Sequence, residues 1–151
     1  EPGPWLPPAF EVVAQCEGGL DRRLAHAWAV AGGPGVQIGM DTPQVTPSQL
    51  DSALNALDTW PAALGHADDG GWWAIGLRHP EERVFLGVEM SAADTGRRQQ
   101  ERLEALGLGV ALLPELADLD TVSDLPAVVD GRPTLRTALL ARRLGLLGSS
   151  E

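Results

Sequence analysis

Short apolar runs alternate with helix-like segments along this chain, and clusters of Gly or Pro separate them. Few folds accept that order. Residues 10–15, 36–40, 62–67, 72–77 and 110–113 read as strands. Residues 21–31 read as a helix, with Leu20, Leu24, Ala27 and Trp28 at helical spacing. Thr46-Pro47-Ser48-Gln49 is a capping box with Pro at the first helical position. Leu50, Leu54 and Leu57 follow it as a buried stripe, and Pro61 ends the segment. Residues 94–106 form a charged helix with Leu103 and Leu106 inward, closed by Gly107. Thr121-Val122-Ser123-Asp124, an acidic variant of the capping box, starts a short helix. Pro133-Thr134 precedes a last helix whose apolar residues are Leu135, Leu139, Leu140, Leu144 and Leu147, with residues 148–151 frayed. Strands and helices in alternation predict an α/β fold: a mostly parallel sheet with helices on both faces.

At 151 residues and 15.9 kDa the chain makes one domain. A chain of that size can bury about 68–70% of its unfolded surface. Its net charge is −10, and all 11 basic residues are Arg. Such a balance lacks the basic footprint that holds nucleic acid or an anionic membrane, so neither is an expected partner. Cys16 is the only cysteine, which excludes an internal disulfide and a thiolate zinc cluster. No apolar run reaches the length of a membrane span, and no signal peptide is visible, so the expected location is cytoplasmic.

In parallel sheets, ligands bind beyond the carboxyl ends of the strands. Asp41 directly follows the strand at 36–40. Its carboxylate suits a hard cation such as Mg²⁺ or Mn²⁺, or else caps its own turn. Asp118-Leu119-Asp120-Thr121 follows the strand at 110–113. Asp120 is a second ligand for the same ion, or else Asp120 or Thr121 caps the next helix. Asp69-Gly70-Gly71-Trp72-Trp73 is either a hairpin turn or a loop that admits a sugar or phosphate. In the second case Trp72 or Trp73 supplies a stacking face, and alternation puts the other in the core. His26, His66 and His79 have no ligand spacing, no nucleophile or phosphate-loop motif is present, and Arg97, Arg98, Arg102, Arg142 and Arg143 read as solvated.

Three segments stand in a telling order: Gly39-Met40-Asp41-Thr42-Pro43, then Asp69-Gly70-Gly71-Trp72-Trp73-Ala74-Ile75-Gly76-Leu77, then Asp118-Leu119-Asp120-Thr121-Val122-Ser123-Asp124-Leu125. Together they resemble a bacterial glycosyltransferase-A-like family, the radical-SAM/selenodomain-associated transferases. Relatives of that family include molybdenum-cofactor and 2-phospholactate guanylyltransferases. The chain departs from the pattern at Asp21, where the family often has Gly, at Asp68 in place of Glu, and at Val122-Ser123 in place of Pro-Glu.

The resemblance implies a nucleotide-diphospho-sugar transferase fold and a transferase acting on a nucleotide-activated sugar. Nucleotidyl transfer from a nucleoside triphosphate is its sibling reaction. Asp41 and Asp120 match the catalytic carboxylates that hold Mg²⁺ or Mn²⁺. Asp69, Gly70 and Gly71, with Trp72 beside them, match the loop that faces donor or acceptor. Ser91 matches a Ser of the following loop, and Arg23 the Arg of a glycine-containing segment. The family fold opens with a strand–helix–strand unit of about 30 residues or more, and no such unit precedes Phe10. By that implication the chain is the C-terminal two-thirds of the domain and inactive alone. Its sheet would then expose an edge open to a partner or a second copy. The other outcome is a shortened, non-catalytic interaction domain.

Overall fold

The computed structural model describes residues 7 and 9–147. In chain order the elements are α1 (Leu20–Ala31), β1 (Gly35–Ile38), α2 (Pro47–Thr59), β2 (Ala62–Ala67), β3 (Trp72–Leu77), α3 (Thr95–Ala105), β4 (Val110–Leu116), α4 (Leu125–Val129) and α5 (Arg136–Arg143). Residues 148–151, expected to fray, lie outside the described residues.

Only Asp68, Asp69, Gly70 and Gly71 separate β2 from β3, and that shortness decides the sheet. A parallel pair needs a long crossover, whereas a tight turn returns the chain antiparallel. The sheet is therefore mixed, with the order β1-β3-β2-β4, and the mostly parallel expectation is corrected. β3 runs antiparallel to both β1 and β2. β2 and β4, joined across α3, are parallel. β1, β2 and β4 thus share one direction, and β3 alone is reversed.

Residues 10–15 form no strand, contrary to their composition. Phe10, Val12 and Val13 are exposed, and among the described residues no strand lies alongside to pair with them.

One sheet face presents Ala62, Leu64, Ile75 and Leu77 to α1, α3 and the segment before α3. Trp28 stacks on Phe85 there, with ring centroids 6.3 Å apart. The Trp28 indole N–H donates to Gln37 Oε1 at 2.8 Å, which satisfies its one polar group. Leu103 is the α3 residue that fills this core, and Gln99 beside it donates to the Val84 carbonyl at 2.7 Å.

The opposite face is covered by α2. The capping box forms as the sequence indicates: Thr46 N–H donates to Gln49 Oε1 at 2.9 Å, and Gln49 N–H to Thr46 Oγ1 at 3.3 Å. Ala53 and Leu57 are the residues α2 buries, whereas Leu54, expected in the stripe, is 47% exposed. Gly76 lets Leu57 approach the sheet, since a Cβ there would lie 3.3 Å from Leu57 Cδ2.

The two adjacent tryptophans separate at a bulge. His66 pairs with Trp72 and Gly65 with Ala74, so Trp73 is an extra residue in the ladder. Trp73 is fully buried, lies over Gly65 and donates its indole N–H to the Pro114 carbonyl at 2.9 Å. Trp72 stays half-buried on the other side, against the α1–α3 core.

α5 departs most from expectation. It buries Ala138 and Ala141, while Leu139, Leu140 and Leu144 face outward. It packs against α4, which buries Leu125 and Val128. Small alanines let two short helices approach closely, so the leucines are turned away.

Candidate functional site

β1, β2 and β4 share a direction, so their carboxyl ends open on the same side of the sheet. A cleft of about 720 Å³ lies there. Asp41 enters it after β1, Asp69 after β2, and Asp118 and Asp120 after β4. Each of these four residues lines the cleft because a strand stops just before it.

Backbone bonds knit the strand ends together. Leu119 N–H donates to the Asp41 carbonyl at 2.8 Å. Asp68 N–H donates to the Leu116 carbonyl at 3.1 Å, and Asp118 N–H donates to Asp68 Oδ1 at 3.3 Å. The Gln44 side-chain amide donates to the Ala117 carbonyl. The turn after Asp41 is closed by Val45 N–H on the Thr42 carbonyl at 3.2 Å, not by the Asp41 carboxylate. The cap before α4 belongs to Thr121 and Asp124, whose Oδ2 accepts from Thr121 N–H at 2.6 Å. Asp120 is thereby left with its side chain on the cleft.

Asp118 was not singled out by sequence. It sits nearer the strand than Asp120 and is the more enclosed of the two. Its Oδ1 is shielded from solvent and accepts no hydrogen bond from the described residues. Burial, and then the neighbouring charges of Asp41, Asp69, Asp120 and Asp68, push its carboxyl up to about 7. Asp118 lies two residues before Asp120 and closer to the end of β4, and both line the cleft.

The 68–71 turn and the segment before α3 interlock. Gly70 has φ +91°, and a Cβ there would collide with the Ala93 carbonyl. Gly96 N–H donates to the Gly70 carbonyl at 2.8 Å. A Cβ on Gly96 would in turn strike the Gly71 carbonyl. Gly70 is therefore consumed in packing, and it is Gly71 that lines the cleft. Asp69 Oδ1 accepts from Gly71 N–H at 2.7 Å, which fixes the turn.

Trp72 and Ser91 also line the cleft. Among the described residues Ser91 is the non-glycine residue held at positive φ, +59°. Thr95 secures its loop: the Thr95 hydroxyl accepts from Ala92 N–H at 3.0 Å and lies 3.0 Å from the Glu89 carbonyl. Arg23 is not brought to the cleft. Its guanidinium donates to the Gly18 carbonyl at 2.9 Å and to Gln15, bracing the start of α1. No Arg or His lines the cleft among the described residues. Leu20, Leu24, Ile38, Met40 and Met90 form its apolar wall.

Among the described residues no three His, Cys, Asp or Glu side chains stand close enough to hold a metal ion as they are. The charge still fits a cation: carboxylates gather without a basic neighbour, and one of their oxygens is enclosed without a partner. Carboxylate oxygens are the hard donors that Mg²⁺ and Mn²⁺ favour. No helix of the described residues is long and apolar enough to cross a membrane.

Comparison with known proteins adds two findings. A family model described as an uncharacterized protein conserved in bacteria (DUF2064) matches residues 1–92, which include Asp41, Asp69, Gly71, Trp72 and Ser91. The crystal structure of a putative nucleotide-diphospho-sugar transferase from Desulfovibrio desulfuricans superposes with a TM-score of 0.78 at 32% identity. That match covers 87% of this chain, and the chain spans 62% of the other protein's length. No curated protein matches.

Proposed function

From the premise that the chain belongs to the DUF2064 family of bacterial proteins, we propose that its residues serve, in the full-length protein, a metal-dependent transferase acting on a nucleotide-activated sugar. The observation that carries this is the meeting of Asp41, Asp69, Asp118 and Asp120 around one cleft beside Trp72. The likeness to a nucleotide-diphospho-sugar transferase structure supports the substrate class.

In this proposal Asp41 and Asp120 hold Mg²⁺ or Mn²⁺. The ion, when bound, neutralises the charge that develops on a leaving diphosphate. The chain's own residues do the positioning. Gly71, without a side chain, lets a sugar or phosphate reach the backbone. Trp72 offers an aromatic face, and Ser91 a hydroxyl on a loop fixed by Thr95. No protein nucleophile is required, in keeping with the absence of a nucleophile motif. A nucleoside triphosphate handled by the same carboxylates, with nucleotidyl transfer as the outcome, is the sibling reaction.

The test is titration calorimetry of the full-length protein with nucleoside-diphosphate sugars and with nucleoside triphosphates, each with and without Mn²⁺. Binding that requires Mn²⁺ and is lost in Asp41→Ala is the expected result. Equal affinity in Asp41→Ala would remove the ion from this site. Preference for the triphosphates would select nucleotidyl transfer.

A further inference from the structure

Two helices, α5 and α2, carry exposed leucine on their outward faces. On α5 the outward stripe is Arg136, Leu139, Leu140, Arg143 and Leu144, at i, i+3, i+4, i+7 and i+8. Leu139, Leu140 and Leu144 are 47%, 57% and 63% exposed. On α2 the outward stripe is Asp51, Leu54, Asn55 and Asp58, at i, i+3, i+4 and i+7, with exposed Trp60 just beyond. The two stripes are complementary in charge and in register. Laid antiparallel, Arg136 meets Asp58, Arg143 meets Asp51, Leu140 meets Leu54 and Leu139 meets Asn55. Among the described residues none of these four charged side chains takes part in an ion pair. Both stripes are exposed within one chain, so they do not cover each other there.

We propose that α5 of one copy docks on α2 of a second copy. Pairing α5 with its own counterpart would set arginine against arginine. A lipid surface fits less well, because Arg143 stands inside the leucine row, where insertion would drag it into hydrocarbon. The net charge of −10 also repels anionic headgroups. This contact is separate from the cleft and from any pairing at the sheet edge.

Sedimentation of the full chain over a range of concentrations tests the proposal. The expected result is a reversible rise in mass with concentration. Arg136→Glu with Arg143→Glu should weaken that association by about tenfold or more, through lost attraction and added repulsion. Adding Asp51→Arg and Asp58→Arg to the same chain should restore it. All four positions are exposed, so circular dichroism should show every variant folded. A monomer at all concentrations, an association unmoved by charge reversal, a charge swap that fails to restore it, or binding to anionic vesicles in place of self-association would each overturn the proposal.

Discussion

The turn at residues 68–71 and the helix α5 are both short, and the chain holds them in opposite ways. The turn is fixed by backbone. Gly70 and Gly96 bring two segments into contact so close that neither tolerates a Cβ, and a hydrogen bond closes the seam. α5 is fixed by two alanines and leaves its large residues outside. Where main chain meets main chain, a single atom decides the structure. Where a helix rests on small side chains, its outer face is free for other work.

The largest expected effect lies at the turn. Gly70→Ala places a methyl on the Ala93 carbonyl at a positive φ, and should destabilise the fold by about 3 kcal/mol or more. Denaturant unfolding measures it, and a loss below about 1 kcal/mol would show that the seam gives way easily.

The intermediate effect is one of pH. Asp118 holds its proton to about pH 7 in the folded chain, against an ordinary value of 3.8. Between those values the folded form binds a proton that the unfolded form has lost. The contribution of this group is therefore whole below pH 3.8 and falls away as pH rises to about 7. Glu81, lowered from 4.5 to about 2 by Arg83, and Asp21, Asp94 and Asp124, lowered by their own partners, act in the opposite sense and at or below the acid edge of that window. Melting temperature against pH should decline less steeply in Asp118→Asn than in the parent. Parallel profiles would mean the carboxyl is not raised.

The smallest effect belongs to α5. Leu140→Ser should change the stability of the dilute chain by less than about 0.5 kcal/mol, because the side chain has little to lose. A loss of about 2 kcal/mol would place Leu140 in a core and erase the contrast with the turn.

The features legible in sequence were those governed by neighbours along the chain. The capping box at Thr46 needs only Gln49, and the 68–71 turn needs only its glycines. Asp41, Asp69 and Asp120 stand at strand ends because short apolar runs announce where strands stop. The features that were not legible depend on distant partners. The direction of β3 follows from the hairpin alternative, which the same residues offered alongside a ligand loop. Which tryptophan is buried depends on a bulge that alternation cannot foresee. Residues 10–15 have the composition of a strand but no neighbour beside them. Arg23 matches a motif yet spends its guanidinium on the turn before α1. α5 has a helical pattern of leucines, and periodicity alone does not say which side meets the protein.

The reversed strand also makes one pairing of the sheet local in sequence. β2 and β3 are close in sequence, so their hairpin is the first piece of the sheet that the chain can close cheaply. β1 and β4 flank that hairpin on opposite sides, each connected across a longer stretch of chain. The cleft takes carboxylates from the ends of β1, β2 and β4, so it exists only once the last of these strands has docked. A ligand that fits it binds the finished sheet and no earlier form. Its binding free energy is then added to the stability of the whole domain.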